Sequence, residues 1–449
     1  MEKFIINGGK KLTGSMQVSG AKNVALKALV AACLTEDEII IENVPFISDF
    51  FVMVDLIREM GGTVRIEDHT VFVRASNIQK TKISFEKSAE IRSSLMLLAP
   101  LLARFGKAEV PNPGGCRIGA RPIDRIIEGL KKLGAEIKYK STDGYFYAKT
   151  LTPQKHFLQG TEYSFEKNTH TGTETLIIAA SLAKGKTVLK NAAQEPEVDE
   201  LIDLLNTMGA KIKRIKEKII EINGVDKLHG CRFRIKPDRN EVVTFAIAAV
   251  VTNGDIFVFD ARKESIKEFL ENFVKAGGGY EETDEGIRFY SKGNLVAVNI
   301  TTGSYPGFMT DWQAPWAVLM TKAKGQAVIH ETVYESRFGY AKELQKMGAK
   351  IDFFNPDVAD PQSFYNFNIS DDRKDLYHAI KIHGPARLHN AVTFISDLRA
   401  GATLVLAALA AKGESVIFGI EHLDRGYERF EKRLQDLGAD IKRVKDENE

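Results

Sequence analysis

The stretch LIIAASLAKGKTVLKNA (176–192) carries the pattern that decides the fold: an almost wholly apolar helix, a small polar turn and then a strand. A helix that is apolar on every side is expected to be buried on every side. The same phrase returns as FAIAAVVTNGDIFVFDA (245–261), WAVLMTKAKGQAVIHET (316–332) and LVLAALAAKGESVIFGI (404–420). The chain therefore consists of repeated units that each contribute one buried helix.

A second phrase follows the first and joins a long or small hydrophobic residue to Gly-Ala or Gly-Gly. Each copy ends an amphipathic run such as YAKELQKMGA (340–349), where glycine fits the left-handed C-cap of an outer helix that leads into a strand. The spacing is roughly 70 residues, stretched in the last copy by an insert around residues 354–377. Unrelated αβ units that share a turn are the alternative, which six in-phase copies disfavour. The copies are Met60-Gly61-Gly62, Leu133-Gly134-Ala135, Met208-Gly209-Ala210, Ala276-Gly277-Gly278, Met347-Gly348-Ala349 and Leu437-Gly438-Ala439.

Six units divide most simply into two α/β domains of three, each unit having the order βαβαββ. The break is predicted near Gly230, and the first strand, within 4–18, is expected to cross over and pair with the second half. We therefore predict a domain of residues 21–230 and a second domain of residues 1–20 plus 231–449. Linkers near Gly20 and Gly230 would form a double hinge, and two globules joined in that way can close over a ligand.

Composition excludes several classes of protein. The 449 residues are 44% hydrophobic and 27% charged, and the net charge of +2 lacks the basic footprint of a nucleic-acid-binding protein. Three widely spaced cysteines favour neither a disulfide framework nor a zinc site. The N-terminus lacks the apolar core of a signal peptide, and no apolar run reaches the roughly 20 residues that cross a membrane. A cytoplasmic protein without nucleic-acid or membrane partners is predicted; its oligomeric state is left open.

Charged and polar residues stand where the six buried helices begin. A cation at a helix N-terminus is unfavourable unless an anion accompanies it, and backbone N–H groups with Arg or Lys make a strong phosphate or carboxylate site. We predict a polyanionic ligand; the alternative is that each cation pairs with a neighbouring carboxylate. The residues are Lys22 with Asn23, Arg92, Lys167 with Thr173, Arg239, Asp311 and Arg399.

The segment PNPGGCRIGARP (111–122) is predicted to be a long loop, because three glycines and three prolines oppose both helix and strand. Such loops often act as lids over active sites. Cys116 lies within it between Gly115 and Arg117, with Arg121 close by, and neighbouring cations favour the thiolate. Cys116 is thus a candidate acid, base or nucleophile.

With these residues in view, the chain resembles the enolpyruvyl transferase family almost from end to end. The family's fold is two inside-out, barrel-like α/β domains of three repeats each, joined by a double hinge. The GGCxIGARP loop resembles the branch that acts on a UDP-sugar rather than the shikimate branch. The segments that carry the resemblance are SGAKNVAL (19–26), GGCRIGARPID (114–124), TGTETLIIAASLAKG (171–185), NAAQEPEV (191–198), KPDRNEVVTF (236–245), YPGFMTDWQA (305–314), ETVYESRFGYAKELQKMGAKI (331–351), DLRAGATLVLA (397–407) and HLDRGYERFEKRL (422–434).

The resemblance implies transfer of the enolpyruvyl group of phosphoenolpyruvate to the 3-hydroxyl of UDP-N-acetylglucosamine, the first committed step of peptidoglycan synthesis. It implies that Lys22, Arg121 and Arg399 bind the phosphate and carboxylate of phosphoenolpyruvate, with Arg92 nearby. Asn23 would hold the tetrahedral intermediate.

The resemblance also implies an acid and a base. Cys116 would deliver a proton to carbon, and Asp311 would take the proton from the sugar hydroxyl. This chemistry needs neither a metal nor an organic cofactor. The residues implied to contact the nucleotide sugar are Arg121, Pro122, Ile123, Asp124, Arg125, Lys167, Thr169, His170, Asp311 and Ile329.

Several residues depart from the family's usual pattern. Lys27 replaces a proline, which we expect to be harmless, and His170 replaces a small or apolar residue. Pro315 and Trp316 differ from the usual residues behind Asp311, and the pair Trp312 and Trp316 is predicted to pack in the core; the alternative is a platform for the sugar. Two alternatives stay open at this point: an enolpyruvyl transferase for a different nucleotide sugar, and a catalytically idle UDP-sugar-binding paralogue.

Overall fold

The protein is described from a computed structural model covering residues 2–115, 119–120, 122–151 and 157–445. The chain forms two compact units. The N-terminal unit comprises the described residues of 20–115 and 122–236. The C-terminal unit comprises the described residues of 1–19, 119–120 and 237–449.

The helices of the described ranges alternate between buried and outer ones. The α-helices are α1 (Lys22–Ala32), α2 (Ser48–Met60), α3 (Phe85–Glu90), α4 (Leu98–Phe105), α5 (Asp124–Lys132), α6 (His170–Ala180), α7 (Pro196–Thr207), α8 (Arg239–Val251), α9 (Lys267–Lys275), α10 (Thr310–Lys322), α11 (Gly339–Lys346), α12 (Pro361–Phe364), α13 (Leu398–Ala410), α14 (Glu421–Asp424) and α15 (Phe430–Asp436). Short 3-10 helices cover Arg92–Leu97, Lys263–Ile266 and Ile369–Asp371.

The strands are short and lie in small sheets. They are β1 (Glu2–Gly8), β2 (Thr13–Gln17), β3 (Ile39–Glu42), β4 (Thr63–Glu67), β5 (Thr70–Arg74), β6 (Lys107–Pro111), β7 (Ala135–Lys140), β8 (Tyr145–Thr150), β9 (Glu162–Ser164), β10 (Lys186–Lys190), β11 (Lys211–Lys216), β12 (Ile219–Asn223), β13 (Cys231–Arg234), β14 (Asp255–Phe259), β15 (Gly278–Thr283), β16 (Gly286–Ser291), β17 (Ile300–Thr301), β18 (Gly325–His330), β19 (Lys350–Phe354), β20 (Ala379–Gly384), β21 (Val392–Phe394), β22 (Gly413–Phe418) and β23 (Asp440–Lys445).

Each unit contains three of these sheets. In the N-terminal unit the strand orders are β13-β3-β5-β4, β6-β8-β7 and β11-β12-β10-β9. In the C-terminal unit they are β15-β16-β14-β2, β17-β18-β20-β19 and β21-β22-β1-β23. Every four-stranded sheet has one parallel pair, such as β9 with β10, and two antiparallel pairs. The predicted α/β class with three repeats in each half of the chain is confirmed.

The helices that follow the first strand of each repeat form the cores. Every residue of α8 is buried, as its apolar sequence predicts. Helices α8, α10 and α13 pack against one another inside the C-terminal unit, while α9 buries only one face. In the N-terminal unit α6 packs on α4, and the 3-10 helix Arg92–Leu97 contacts both α1 and α6. Amphipathic helices therefore lie outside the all-apolar ones in each unit.

The repeated glycines end the outer helices as predicted. Gly61 follows α2 with φ of 108°, the left-handed region in which a side chain is strained. An added Cβ there would lie 2.4 Å from the Asn77 carbonyl oxygen. The other five glycines of the repeated phrase also have positive φ. One backbone requirement thus explains the same residue at six places.

Apart from the loop that contains residues 119–120, the chain crosses from one unit to the other near Gly20 and again between Lys236 and Pro237. The second crossing follows the predicted Gly230, because β13 pairs in parallel with β3 and stays in the N-terminal unit. Strand β1 pairs with β22 and β23, and β2 pairs with β14, all within the C-terminal unit. No helix in the described ranges combines the length and apolar character needed to span a bilayer.

Candidate active site

Asp311 of the C-terminal unit lies in the first turn of α10, where the helix dipole favours a carboxylate. Its Oδ1 atom lies 2.7 Å from Nη2 of Arg337, and its Oδ2 atom lies 3.5 Å from Nη2 of Arg399. The Asp311 side chain remains 28% exposed, whereas both arginines are buried. Two guanidinium groups therefore hold a carboxylate that a solute can still reach.

The charge of Asp311 follows from these contacts. Burial raises its pKa, but Arg399 and Arg337 outweigh burial and lower the pKa to about 2. The carboxylate is thus ionised at neutral pH and can accept a proton. A ligand anion that drew Arg399 away would weaken this stabilisation and make Asp311 more basic.

Arg399 itself is fixed by its own helix start. The Asp397 carboxylate caps α13 by accepting hydrogen bonds from the backbone N–H groups of Arg399, at 3.0 Å, and Ala400, at 3.2 Å. Nη1 of Arg399 donates to the Tyr427 hydroxyl at 3.1 Å. Its Nε is buried and has no hydrogen-bond partner among the described residues. Such an unmet buried donor is uncommon and suits a site that receives an anion.

Arg337 is braced from several sides. It lies 3.4 Å from Asp397, and its Nε donates to Thr310 Oγ1 at 3.4 Å. The Thr310 hydroxyl in turn donates to Glu331 at 2.8 Å, and Glu331 has no exposed surface. Sequence reasoning did not assign Glu331 or Asp397 to the site. The sequence did carry a local signal for Asp397, because an aspartate just before a helix is a typical N-capping residue.

Lys22 of the N-terminal unit begins α1, and its Nζ lies 2.8 Å from Oδ2 of Asp49. The Lys22 side chain is 13% exposed, and Asn23 beside it is half-buried. The alternative that the cations pair with protein carboxylates therefore holds for Lys22, as it does for Arg399. An entering anion would compete with Asp49 for Lys22.

Arg92 begins the 3-10 helix that precedes α4, close to the start of the cysteine loop. A Cβ added to Gly115 would lie 3.1 Å from Cβ of Arg92, so the backbone at Gly115 packs closely against this residue. Cys116 and Arg121 lie outside the described residues. The backbone N–H of Ala120, within the C-terminal unit, donates to the Glu335 carboxylate.

The residues predicted to contact the nucleotide occupy two helix starts of the N-terminal unit. Pro122 and Ile123 precede α5, and Asp124 and Arg125 form its first turn. Lys167 and Thr169 precede α6, and His170 is its first residue. Thr169 Oγ1 accepts a hydrogen bond from the Gly172 N–H at 3.2 Å, which caps the helix. Thr169 and His170, neighbours in the sequence, therefore both lie at the start of α6.

Thr173 and Ile329 are enclosed by the fold, whereas Arg239 is buried close enough to Asp311 to help lower the pKa of its carboxyl group. Thr173 is fully buried and accepts a hydrogen bond from the Ala193 N–H at 3.0 Å. Arg239 lies over the rings of Tyr305 and Trp312. Ile329 has no exposed surface and lies on β18, and its contact with the nucleotide stays a prediction.

The two tryptophans pack in the core, as predicted. Trp316 is completely buried, and Trp312 is 1% exposed. Both rings meet Phe308 and Phe269 edge to face. Nε1 of Trp312 donates to Asn240 at 2.9 Å. Trp312 thus ties the first turn of α10, next to Asp311, to Asn240 of α8.

Comparison with known proteins identifies the family of the chain. The family model described as EPSP synthase (3-phosphoshikimate 1-carboxyvinyltransferase) matches residues 6–434. A UDP-N-acetylglucosamine 1-carboxyvinyltransferase of Koribacter versatilis is 42% identical over 448 residues, covering 99% of this chain and 97% of the relative. One of Desulforapulum autotrophicum is 40% identical and covers 99% of this chain and 100% of the relative.

Solved structures support the fold. The enolpyruvyl transferase NikO from Streptomyces tendae superposes with a TM-score of 0.84 at 23% identity, covering 99% of both chains. EPSP synthase from Acinetobacter baumannii superposes with a TM-score of 0.73 at 17% identity, covering 99% of this chain and 100% of that one.

Proposed function

The chain belongs to the enolpyruvyl transferase family, and from that premise we propose that it transfers the enolpyruvyl group of phosphoenolpyruvate to the 3-hydroxyl of UDP-N-acetylglucosamine. Phosphate is the second product. The reaction is the first committed step of peptidoglycan synthesis. The observation that carries the proposal is the ionised Asp311 carboxylate between Arg337 and Arg399 at the start of α10. Mere binding of a nucleotide sugar does not require such a base.

The donor has two anionic groups, which several cations must hold. We assign this task to Lys22, Arg121 and Arg399, with Arg92 nearby and Asn23 on the tetrahedral intermediate. The buried, unpartnered Nε of Arg399 supports the assignment, because an oxygen of the substrate would satisfy it. At Lys22 the substrate would replace Asp49 as the anionic partner.

The chemical steps are additions and losses of protons. Asp311 accepts the proton of the sugar 3-hydroxyl while the oxygen of that hydroxyl forms a bond to C2 of phosphoenolpyruvate. Cys116 gives a proton to C3. The tetrahedral intermediate then loses a proton from C3 to the Cys116 thiolate as the bond from C2 to the phosphate oxygen breaks, which restores the double bond. The departing phosphate takes the proton that Asp311 holds. The side chains of Asp311 and Cys116 carry these proton transfers, so the proposal includes no metal or organic cofactor.

The acceptor is proposed to bind through Arg121, Pro122, Ile123, Asp124, Arg125, Lys167, Thr169, His170 and Asp311. Support comes from the two helix starts, because backbone N–H groups there favour the phosphates of a nucleotide. Ile329, on β18, is proposed as a further contact of the acceptor. We also propose the cytoplasm as the compartment, where a thiol such as Cys116 stays reduced.

The test is a phosphate-release assay with phosphoenolpyruvate and UDP-N-acetylglucosamine. Release that needs both compounds is expected, with Asp311→Asn as the matched inactive control. Phosphate release only with another nucleotide sugar would show that this other sugar is the acceptor. Binding of UDP-N-acetylglucosamine without any phosphate release would indicate a catalytically idle paralogue. The names of the relatives favour neither of these alternatives.

A further inference from the structure

A chain of hydrogen bonds leads from the guanidinium of Arg399 into the core of the C-terminal unit. Nη1 of Arg399 donates to the Tyr427 hydroxyl at 3.1 Å. The hydroxyl oxygens of Tyr427 and Thr244 lie 2.7 Å apart. The Thr244 hydroxyl donates to the backbone carbonyl oxygen of Asn240 at 3.0 Å. The chain therefore joins α13, which carries Arg399, to α8, which carries Thr244.

The direction of these hydrogen bonds follows from the groups at the two ends. A guanidinium has only donors, so the Tyr427 oxygen accepts from Arg399 and gives its own proton to Thr244. A carbonyl oxygen only accepts, so the Thr244 proton goes to Asn240. Burial raises the pKa of Tyr427 above its usual value, so the phenol keeps its proton at neutral pH. Each hydroxyl therefore donates once and accepts once, and neither can turn without breaking a hydrogen bond.

Packing holds the Tyr427 ring in the same place. Tyr427 is buried, and the centroid of its ring lies 4.8 Å from that of Phe430. Phe430 in turn meets Phe245 edge to face. The backbone N–H of Tyr427 donates to the Leu423 carbonyl oxygen at 3.0 Å, in the turn that follows α14. Tyr427 is thus enclosed by the core, and it acts on a ligand only through its neighbours.

Arg399 is the member of the chain that reaches the candidate active site. Its Nη2 lies 3.5 Å from Oδ2 of Asp311, whose side chain is partly exposed. Its Nη1 is held by Tyr427, and its Nε has no hydrogen-bond partner among the described residues. An arginine side chain loses much rotamer freedom when it is fixed. A guanidinium that is already held before the ligand arrives therefore binds an anion more tightly.

We propose that Tyr427, itself held by Thr244, is a positioning residue that fixes the Arg399 guanidinium for the anionic donor. The hydrogen bond removes freedom that the guanidinium would otherwise lose on binding, so its effect is on the affinity for phosphoenolpyruvate. This inference rests on the proposed function, because it takes Arg399 as a ligand of that compound. The alternative is that the chain only satisfies polar groups that folding has buried.

The test compares Tyr427→Phe with the wild type in steady-state kinetics. Phenylalanine keeps the ring and removes only the hydroxyl. The KM for phosphoenolpyruvate should rise about tenfold or more, the effect of one hydrogen bond to a charged group. The kcat and the KM for UDP-N-acetylglucosamine should stay within about twofold, because a contact made equally in the ground state and the transition state changes KM alone. A lower melting temperature with an unchanged KM for phosphoenolpyruvate would reduce the chain to a structural role.

Two threonines of α8 and its C-cap supply a matched pair of variants. Thr244→Val removes the acceptor of the Tyr427 proton and should raise the KM for phosphoenolpyruvate by a smaller factor, whereas Thr244→Ser keeps the hydroxyl and should restore the wild-type value. Thr252 is also buried and donates to the Ala248 carbonyl oxygen at 2.7 Å, but it accepts from the backbone N–H of Leu12 instead of a tyrosine. Thr252→Val should therefore leave this KM unchanged. Equal effects of the two valine variants on the KM would contradict the proposal.

Calorimetric titration with phosphoenolpyruvate separates this inference from the proposed function. If the wild type releases no phosphate but binds phosphoenolpyruvate, and Tyr427→Phe weakens that binding, the inference stands while the proposed reaction fails. If the wild type turns over and Tyr427→Phe has the same KM for phosphoenolpyruvate, only the inference fails. Absence of both turnover and binding in the wild type overturns both.

Discussion

The Nη2 atom of Arg337 lies 2.7 Å from Oδ1 of Asp311, at the first turn of a buried helix of the C-terminal unit. Arg399 approaches the second oxygen at 3.5 Å, and Asp397 lies beside both arginines. The two cations make the Asp311 carboxylate a stable anion, so its basicity depends on which of them a substrate engages. This relationship leads to the first two predictions.

Replacing Asp311 by Asn should abolish most turnover. The amide cannot accept the proton of the sugar hydroxyl, and loss of a general base typically costs about a hundredfold to ten-thousandfold in rate. The measurement is kcat from phosphate release. Titration of the variant with UDP-N-acetylglucosamine controls for folding, and a kcat within about twofold of wild type would exclude the base role.

Replacing Arg337 by Met should move the acidic limb of the pH profile of kcat/KM to higher pH. Arg337 lowers the pKa of Asp311, so removal of Arg337 raises that pKa. A cation this close typically lowers the pKa of a carboxyl group by about 1–3. The activity at low pH therefore falls first. Arg337→Lys, which keeps the charge, is the matched control and should retain more of the original profile. An unmoved acidic limb in Arg337→Met would contradict the electrostatic role.

Replacing Cys116 by Asp should preserve some turnover, whereas Cys116→Ala should lose it. A carboxylic acid can still give a proton to carbon, and a methyl group cannot. Covalent labelling by an epoxide phosphonate such as fosfomycin, measured by mass spectrometry, should occur in the wild type and in neither variant. Equal loss of turnover in both variants would count against the acid role of Cys116.

Replacing Gly61 by Ala should destabilise the N-terminal unit more than replacing Gly185 by Ala. Both glycines have positive φ, so each variant carries a backbone strain of about 1–3 kcal/mol. Only at Gly61 does the new Cβ collide with a backbone oxygen, that of Asn77, while nothing lies within 4 Å at Gly185. Urea unfolding should show the larger loss in free energy of unfolding for Gly61→Ala, and equal losses would show that the contact with Asn77 relaxes freely.

Much of the fold could be predicted because its signals are local and repeated. The apolar runs at 245–251 and 404–409 are buried helices, and Gly61 and Gly348 end outer helices with positive φ. The crossing at Lys236 was harder to predict. The pairing of β13 with β3, which keeps that segment in the N-terminal unit, depends on a strand far away in the chain.

The site was predictable in part. Asp311 and Arg399 were identified from the starts of the buried helices, and their roles from the resemblance. The alternative that Lys22 pairs with a carboxylate was open, but Asp49 could not be named as the partner. Lys27 and Glu174 show the same limit, since nothing in either helix sequence indicates that the two side chains meet. An ion pair depends on distance in space, and a pattern within one helix reports only its own faces.

The sequence by itself determined the six repeats, the all-apolar helices inside them and the glycines that end the outer helices, because helical periodicity and a positive φ are properties of neighbouring residues. Only the tertiary structure decided which charges meet: Asp311 with Arg337, Lys22 with Asp49, and Glu174 with Lys27 and His170. Electrostatic energy falls with separation in space and rises with burial, and both are set when distant segments pack together.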